Sequence, residues 1–482
     1  MQCAGGPGIL VCRGRTPPAT WLPTPPIRWP HLRHSSVSLR LVLVRHGLST
    51  FNTEHRIQGR DDLSSLTAEG HEQARRTGEA LRDLPLAAAY CSPLSRARDT
   101  ARELLQAQGT SLQATANDGL LEIDLTPWTG LLRSELRQTF PEEERRWREA
   151  PETLEFSRPD GSCYRPLEEL MVQSRDWLNG LLRDHAEAVT SASTSTVLVV
   201  AHNGILRCLL LTLLGLPARE FRRLRLDNAS VSVLNLSGSA SDPEVQIESL
   251  NGTVHLGRGL PAKGDGPRLL LVRHGETDWN RQGRFQGQID IPLNANGLAQ
   301  AQAARSFLAD QSLQRAYTSS MSRPRRTAEV ILEDHPGVPL TSTDGLVEIG
   351  HGLWEGCLEA EIAERWPQLL ADWKRAPETV LMPEGETIQH VSDRSLHTWD
   401  VIAASLDHEE TALVVAHDAV NKTILCGLLG LRPADIWAIK QGNGGVTVID
   451  YPHGVAAGAV VSCLNLTAHL GGVLDRTAAG AL

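Results

Sequence analysis

Four short motifs occur twice in this 482-residue chain, in the same order, and this duplication constrains the fold more than any other feature. Each copy begins with Arg-His-Gly directly after a short apolar run, at 45–47 and at 273–275. The ends of the copies match as well, because Leu-Asn-x-Thr-x-His-Leu stands at 250–256 and again at 464–470. Similarity over this length predicts a tandem duplication of one whole domain.

The spacing between the repeated motifs is nearly constant. CSPLSRARDTAR returns as TSSMSRPRRTAE, GLLEIDLTPWTG as GLVEIGHGLWEG, and LVVAHNGILRCLL as LVVAHDAVNKTIL. The polar residues at matching places are Arg96 and Arg323, Glu122 and Glu348, and His202 and His417. Matching residues are 226 to 228 positions apart up to the glutamates and 215 apart at the last histidines. The first copy therefore holds about 11 additional residues between its glutamate and its second histidine.

Composition narrows the class of protein. With 41% apolar and 22% charged residues the chain is typical of soluble globular proteins, and it has no run of about 18 apolar residues that would predict a membrane helix. A net charge of −10 argues against a general affinity for nucleic acid. Eight scattered cysteines without CxxC pairs favour reduced thiols and a cytoplasmic protein. We therefore expect neither a nucleic-acid partner nor a membrane partner.

The repeat boundaries predict four segments. Residues 1–36 are rich in proline and arginine and contain no acidic residue, which indicates a disordered or targeting leader. A transit peptide there would place the protein in the chloroplast rather than the cytoplasm. The first domain covers 37–256 and the second 268–482. Between them, the Gly- and Pro-rich stretch 257–267 is the predicted linker.

Hydrophobic periodicity predicts alternating strands and helices in each copy. In the first copy the predicted strands are 39–44, 89–90, 197–200 and 231–236, and the predicted helices are 68–84, 94–106, 133–148, 167–184 and 204–214. This alternation favours an α/β fold whose mostly parallel sheet is covered by helices on both faces, with sites beyond the carboxyl ends of the strands. Both Arg-His-Gly motifs and both later histidines stand at such ends. We also expect the two repeats to pack together.

The repeated polar residues suit a phosphoryl group. Guanidinium groups bind phosphate oxygens through paired hydrogen bonds, and neutral imidazoles add further donors. A histidine with one ring nitrogen fixed as a donor presents the other as a nucleophile near neutral pH, which favours a phosphohistidine at His46 or His274. A glutamate beside the phosphoryl group gains a raised pKa and can protonate the leaving group, as expected of Glu122 and Glu348.

The motifs RHGETDWN, SRPRRTA, LVEIGHGLWEG and VVAHDAV resemble the histidine phosphatase superfamily, also called phosphoglycerate mutase-like proteins, over nearly all of both repeats. The resemblance implies two tandem copies of a three-layer α/β/α domain that act on a small phosphorylated metabolite without a cofactor or a metal. It implies histidine nucleophiles and glutamate proton donors at His46, Glu122, His274 and Glu348. It implies phosphate contacts at Arg45, Ser49, Asn52, Arg96 and His202 in the first copy and at Arg273, Thr277, Asn280, Arg323 and His417 in the second.

The reaction and the substrate leave alternatives open. The segment GRFQGQIDIPL resembles the phosphatase branch of the superfamily and favours a phosphomonoesterase. The two-copy layout resembles family members that act on a sugar acid, so a sugar acid or related carboxylate is the expected substrate. Candidate ligands for the carboxylate are Arg56, Arg60 and Arg284. The alternative within the family is a 2,3-bisphosphoglycerate-dependent phosphoglycerate mutase. Outside catalysis, the tandem domains would form a scaffold that binds phosphorylated metabolites.

The first copy departs from the second at two points. Leu48 stands where the second copy has Glu276, and PWTG replaces LWEG after the glutamate motif. The first copy is therefore either a second working site or an inactive packing domain. Asp124 and Glu355 are the alternative proton donors if the assignment to the two motif glutamates is wrong.

Overall fold

The computed structural model describes residues 38–191 and 193–477. The predicted leader at 1–36 lies outside the described residues, and the choice between cytoplasm and chloroplast stays a prediction. Within the described ranges, none of the helices combines the length and the apolar character needed to cross a bilayer. Free thiols are found in the same ranges at Cys91, Cys208, Cys357, Cys426 and Cys463, all but Cys357 buried.

The two halves of the chain contain similar series of strands. Those of the first half are β1 (Leu39–Arg45), β2 (Ala88–Cys91), β3 (Thr115–Ala116), β4 (Phe156–Ser157), β5 (Cys163–Tyr164), β6 (Ser195–Ala201), β7 (Val231–Ser239) and β8 (Asp242–Gly252). Those of the second half are β9 (Arg268–Arg273), β10 (Arg315–Ser319), β11 (Leu340–Thr343), β12 (Thr411–Ala416), β13 (Val446–Asp450) and β14 (Val460–Leu466).

The helices follow the same duplication. Those of the first half are α1 (Thr50–Thr53), α2 (Ala68–Ala80), α3 (Ser95–Gln108), α4 (Arg133–Thr139), α5 (Pro141–Glu149), α6 (Pro166–Asp184), α7 (Ala186–Thr190) and α8 (Asn203–Leu213). Those of the second half are α9 (Asp278–Gln282), α10 (Ala295–Leu308), α11 (Ser322–Leu332), α12 (Glu359–Arg365), α13 (Pro367–Arg375), α14 (Ile388–Ala404) and α15 (Asp418–Leu429). The helices predicted for the first copy all appear, with the stretch 133–148 divided into α4 and α5.

Twelve of the described strands form one continuous sheet. Its order is β11-β10-β12-β9-β13-β14-β8-β7-β1-β6-β2-β3. Each half contributes six strands, in the same order when counted from its outer edge towards the middle, and the halves meet at β14 and β8. In the first half, β1, β2, β3 and β6 are parallel, whereas β7 pairs antiparallel with both of its neighbours, β1 and β8. The predicted α/β fold with a mostly parallel sheet is confirmed.

The sheet is covered on both faces because its central strands are apolar on both. In β1, Leu41 and Leu43 belong to one cluster of buried side chains, and the alternate residues Val42 and Val44 belong to another. Side chains of a strand alternate between faces, so the two clusters are the two sides of a three-layer arrangement.

Strand β8 is not predicted by the periodicity analysis. Its residues 242–252 include Glu244, Gln246 and Glu248, which weaken the apolar signal of a buried strand. Glu248 is nevertheless only 2% exposed, because β8 pairs with β14 of the other half at the centre of the sheet. The burial of this strand depends on a partner 200 residues away, which local sequence patterns do not encode.

Two asparagines in left-handed backbone conformation connect the halves at this junction. Asn251 (φ 56°) donates from Nδ2 to the Ser462 carbonyl at 2.6 Å, and Asn465 (φ 50°) donates to the Glu248 carbonyl at 2.8 Å. The side-chain oxygen of each asparagine accepts an N–H from a loop of its own half. These loops lie next to the Arg-His-Gly motifs, so the junction supports both candidate sites.

The additional residues of the first half lie in two places. The hairpin β4–β5 has no counterpart among the described residues of the second half, and α7 stands between α6 and β6 where the second half has only a short turn between α14 and β12. Both insertions follow the helix pair α4–α5. The sheet and the strand ends that carry the sites are unaffected by them.

Candidate active sites

Each Arg-His-Gly motif begins where a central parallel strand ends. In the second half β9 ends at Arg273, and the N–H of His274 donates to the neighbouring strand β12 at 3.0 Å. Glycine is required at the next position, because a Cβ on Gly275 would lie 2.2 Å from the carbonyl oxygen of Gly297 in α10. The first half repeats this close crossing between Gly47 and α2.

The backbone holds each histidine in one tautomer. Nδ1 of His274 lies 2.7 Å from the carbonyl oxygen of Gly275, which only accepts, so Nδ1 carries the hydrogen. Nε2 then bears the lone pair and accepts from Nε of Arg323 at 3.3 Å. His46 is held by the Gly47 carbonyl at 2.8 Å in the same way. Both rings therefore offer Nε2 as an unprotonated nitrogen.

Burial keeps both rings neutral. His274 and His46 are 2% and 3% exposed. Burial lowers the pKa of each well below its ordinary value of 6.5, and the positive charges of the two arginines in each site lower it further. An uncharged imidazole with a free lone pair is a nucleophile at neutral pH.

The arginines beside the histidines keep part of their hydrogen-bonding capacity unused. Arg323 donates to two backbone carbonyls of the preceding loop at 2.8 and 3.3 Å, and Arg96 donates to two at 2.9 Å. Nε of Arg45, Arg96 and Arg273 is buried without a partner among the described residues. Leaving a buried N–H unpaired costs about 1–3 kcal/mol. A phosphate oxygen at these positions would offset that cost.

The second histidine of each site stands at the start of a helix, facing the first. The ring centroids of His274 and His417 are 5.2 Å apart, and those of His46 and His202 are also 5.2 Å apart. Nε2 of His417 lies 2.9 Å from the hydroxyl of Ser319. Its Nδ1, like that of His202, is buried without a partner in the described part of the chain. When the hydroxyl donates to Nε2, Nδ1–H becomes a donor for an anion.

Glu348 lies in the same pocket and is only 3% exposed. Its Oε1 accepts from the N–H of Ile349 at 3.0 Å, and its Oε2 accepts from the N–H of Asp418 at 3.1 Å. Burial raises the pKa of Glu348, and the negative charge of Asp418 raises it further, against the opposing effect of Arg323. A raised pKa keeps the carboxyl protonated to a higher pH, as a proton donor requires.

Glu122 is held differently in the first half. Its two oxygens accept three N–H groups, from Ile123 at 2.8 Å, Gly204 at 3.0 Å and Ile205 at 3.1 Å. A Cβ on Gly204 would lie 2.4 Å from Oε1 of Glu122, so glycine is needed for this position of the carboxylate on the first turn of α8. The second half has Ala419 at the matching position, and Glu348 reaches only the first N–H of α15.

The lesser predicted phosphate contacts are largely engaged in local structure. Thr277 caps α9, its hydroxyl donating to Asn280 Oδ1 at 3.1 Å or to Gln286 Oε1 at 2.7 Å, and Ser49 caps α1 in the same way with Asn52. Within the described residues, Nδ2 of Asn280 has no hydrogen-bond partner. Only the asparagine of each pair therefore keeps a donor for a phosphate oxygen.

Some residues that complete the sites were not singled out by the sequence analysis. Ser92 and Ser319 bind Nε2 of the second histidine. Asn228 and Asn443 donate to the carbonyl of the first histidine at 3.0 and 3.1 Å. The serines recur inside the repeated arginine motifs, so the repeat offers a signal for them. The asparagines stand in loops whose other residues differ, DNAS and GNGG, and the repeat signal there is weak.

The candidate carboxylate ligands and the alternative proton donors are occupied elsewhere. Arg56 and Arg284 each donate to a backbone carbonyl, and Arg60 donates to the carbonyl of Glu122 at 2.8 Å. The carboxylate of Glu355 accepts three backbone N–H groups, so it holds a loop in place. Asp124 accepts from Thr126 in a turn. Glu122 and Glu348 differ from them in accepting an N–H of the helix that follows the second histidine, and they stay the predicted proton donors.

No group of three or more His, Cys, Asp or Glu side chains in 38–191 and 193–477 is arranged to hold a metal ion. The buried donors and unpaired N–H groups around each first histidine form instead a small cationic pocket. Each pocket therefore combines a neutral imidazole with a free lone pair, three or more groups that can donate hydrogen bonds to an anion, and one carboxyl group. All of them lie at the carboxyl ends of the parallel strands.

Known proteins are similar to this chain in sequence. The model of the histidine phosphatase superfamily, branch 1, matches residues 41–246 and 269–463. The 2-carboxy-D-arabinitol-1-phosphatase of Triticum aestivum is 28% identical over 449 residues, which are 90% of this chain and 86% of that protein. Phosphoserine phosphatase 1 of Hydrogenobacter thermophilus is 31% identical over 204 residues, 42% of this chain and 94% of that protein.

A probable phosphoglycerate mutase of Citrobacter koseri is 39% identical over 221 residues, 45% of this chain and 95% of that protein. The family model covers most of both halves, and the Hydrogenobacter and Citrobacter relatives match less than half of this chain over nearly their whole length. The second half buries the histidines, arginines and glutamate that the repeated motifs predict, and the first half buries its histidines and Arg96, with Arg45 and Glu122 half-buried. The chain belongs to the histidine phosphatase superfamily, branch 1, with one domain of that family in each half, and it is a phosphatase.

Proposed function

We propose that each half hydrolyses a phosphomonoester of a small metabolite, a sugar acid or related carboxylate, through a phosphohistidine at His46 or His274. The observation that carries the proposal is the arrangement at His274, whose Nε2 lone pair is fixed by the Gly275 carbonyl and lies beside Arg323. The domains are assigned to 37–256 and 268–482, with 257–267 as the linker, in keeping with β8 ending at 252 and β9 starting at 268.

In the first step the lone pair of Nε2 attacks phosphorus while the ester P–O bond breaks. Arg323, Arg273 and Nδ1–H of His417 hold the phosphoryl oxygens, together with Nδ2 of Asn280. The leaving alkoxide takes the proton of the Glu348 carboxyl group. The products of this step are the free alcohol, a phosphohistidine and an ionised Glu348.

In the second step Glu348 takes a proton from water, the resulting oxygen attacks phosphorus, and the N–P bond breaks. Inorganic phosphate leaves, His274 regains its lone pair, and Glu348 is protonated again. The corresponding atoms in the first half belong to His46, Arg45, Arg96, His202 and Glu122. The steps use only residues of one half at a time, so the two sites work separately.

Relatives support both the substrate class and one alternative. The Triticum relative, matched along both halves, is named for a sugar-acid phosphate, and the Hydrogenobacter relative for phosphoserine, which also carries a carboxylate. The Citrobacter relative is named as a probable mutase, and a mutase would return the phosphoryl group to another oxygen of the metabolite instead of to water.

Phosphate release from phosphorylated sugars, sugar acids and amino acids, measured with EDTA present, tests the proposal. We expect release by the unchanged protein, by His46→Ala and by His274→Ala, and none by the double variant. Release by the double variant would contradict the phosphohistidine, and isomerisation of phosphoglycerate without release would favour the mutase. Activity lost wholly with His274→Ala would make the first half an inactive partner.

A further inference from the structure

The first site is surrounded by more positive charge than the second. Three pairs of positions that keep the offset of their repeat motif differ in charge, Arg133 and Glu359, Asn203 and Asp418, and Arg222 and Trp437, and a fourth pair, Arg207 and Lys422, is positive in both halves. At these positions the first half carries three positive charges, and the second half carries one positive and two negative charges. The catalytic residues are the same in both, so the difference concerns what lies beside the phosphoryl group.

Arg207 stands five residues after His202 on α8, without a partner of opposite charge. Its Nε is buried with no hydrogen bond, and no carboxylate among the described residues lies within ion-pair distance of it. Burial, together with the charges of Arg222 and Arg45, lowers the pKa of Arg207 to about 9. At the matching position Lys422 pairs with a carboxylate at 2.9 Å.

An aromatic wall holds two of these arginines side by side. The Arg207 guanidinium carbon lies 5.1 Å from the ring centroid of Phe221, and that of Arg222 lies 5.1 Å from the ring centroid of Trp147. The two rings contact each other at 5.8 Å, and Arg222 also donates to the Trp147 carbonyl at 3.0 Å. The wall fixes the two guanidinium groups on one side of the pocket.

Arg133, on α4, is a third arginine near these groups. It is the first residue of that helix and is exposed, and its side chain forms no hydrogen bond or ion pair within 38–191 and 193–477. Burial is the main reason why the pKa values of Arg45 and Arg222 are lowered to about 10, and the positive charge of Arg133 contributes to both. Arg133 is therefore close to Arg45 and Arg222, and Arg207 is close to the same two residues. Cations that repel one another in this way indicate a place for an anion.

We propose that Arg133, Arg207 and Arg222 form a subsite for a second anionic group, a carboxylate or a phosphate, on the metabolite whose phosphoryl group lies at His46. The inference rests on the proposed function and assigns different substrate preferences to the two halves. The first site selects doubly anionic metabolites. The second site, which has Glu359, Lys422 and Trp437 at the matching positions and Asp418 paired with Lys422, accepts phosphomonoesters without a second anion equally well.

Two matched pairs of substrates test this division. Glycerol 3-phosphate differs from 3-phosphoglycerate in lacking the carboxylate, and fructose 6-phosphate differs from fructose 1,6-bisphosphate in lacking the second phosphate. His274→Ala leaves the first site alone, and His46→Ala leaves the second. For the first site we expect kcat/KM to be about tenfold or more higher for the doubly anionic member, which is about 1.4 kcal/mol. The pair with the larger ratio identifies the anion, and equal values in both pairs would overturn the proposal.

Substitutions that introduce the second-half residues locate the preference. Arg133→Glu and Arg222→Trp are each made in the His274→Ala background. Each is expected to reduce the preference for the doubly anionic substrate at least threefold, by raising the KM of that substrate, while glycerol 3-phosphate turnover changes less than about twofold. Arg133 is exposed, so its replacement does not endanger folding. The matching change Glu359→Arg in the His46→Ala background should raise the preference of the second site. A preference unchanged by both arginine substitutions would refute the subsite.

Binding separates this inference from the proposed function. If no substrate releases phosphate, the proposed function fails, and calorimetry with 3-phosphoglycerate and with 2,3-bisphosphoglycerate still tests the subsite. Weaker binding to Arg207→Gln than to the unchanged protein, with glycerol 3-phosphate binding unaffected, would support it. Equal binding by both proteins would overturn it.

Discussion

The two halves agree closely at the atoms that would contact a phosphoryl group and differ in the residues that support the proton donor. The paired histidine rings are 5.2 Å apart in both halves, and both first histidines present Nε2 through the same backbone contact. Glu122 rests on three N–H groups, whereas Glu348 accepts two and lies beside Asp418. Duplication has therefore preserved the phosphate pocket and varied the environment of the acid.

One difference is a compensated exchange. In the first half Arg60 donates to the Glu122 carbonyl at 2.8 Å and to Gln173 at 2.7 Å. In the second half Arg394 donates to the Glu348 carbonyl at 3.0 Å, and Gln288 donates to the same oxygen at 3.1 Å. The arginine and the glutamine have changed places between loop and helix. The arginine holds the carbonyl of the glutamate in both halves, from the loop in the first and from the helix in the second, where the glutamine donates to it as well.

The largest expected effect comes from removing the proton donor of each site. Glu348→Gln in the His46→Ala background should lower kcat/KM for an alkyl phosphate about 10²–10⁴-fold, because the amide cannot protonate the leaving alkoxide. An aryl phosphate, whose leaving group departs without a proton, should be affected less in its phosphorylation step, which burst kinetics measure.

Glu122→Gln in the His274→Ala background is the matched change in the first half. A similar loss there would show that both glutamates act as acids despite their different supports. Full activity of either variant on the alkyl phosphate would exclude that glutamate as proton donor.

The second effect tests whether the first site depends on its glycine. Gly204→Ala places a Cβ 2.4 Å from the carboxylate of Glu122, so the carboxylate must move. We expect kcat/KM of the first site to fall about tenfold, corresponding to about 1.4 kcal/mol, without loss of the fold. Ala419→Gly is the matched control and should change the second site less. Unchanged kinetics in Gly204→Ala would mean that the position of Glu122 does not limit the reaction.

The sequence alone predicts the parts of this comparison that the two halves share. The histidines, arginines and glutamates recur in ordered motifs at strand ends, and the structure brings all of them together in two clusters. Comparison of the repeats does not reveal the exchange between Arg60 and Arg394, because the two arginines occupy different positions of the repeat. It does not reveal the proposed subsite either, because Arg133 and Arg222 are matched by the unlike residues Glu359 and Trp437. The pairing of β8 with β14 escapes it because burial there comes from the other half.

The third prediction concerns the hydrogen bonds that hold the backbone carbonyl of Glu348, which one substitution removes and a second restores. Arg394→Gln removes charged hydrogen bonds to the Glu348 carbonyl and to two neighbouring carbonyls. Each is worth about 1.5–3 kcal/mol of stability, and we expect a three- to tenfold loss of kcat/KM at the second site. Adding Gln288→Arg reproduces the arrangement of the first half and should restore most of the loss. Two independent, additive effects would argue against the compensated exchange.

The smallest expected effect is on the pH dependence of kcat/KM. It tests whether the residue after the second histidine affects the pKa of the proton donor in each half. The negative charge of Asp418 contributes to the raised pKa of Glu348, so Asp418→Asn should lower that pKa. A proton donor is active in its protonated form, and the alkaline limb of the kcat/KM profile of the second site should therefore move to lower pH, with little change at acidic pH. The matched change Asn203→Asp should move the alkaline limb of the first site to higher pH. Profiles measured in the His46→Ala and His274→Ala backgrounds separate the two. If the alkaline limb stays in place in both variants, it reports the titration of another group, such as the substrate phosphate. The residue after the second histidine would then not contribute to the pKa of the proton donor.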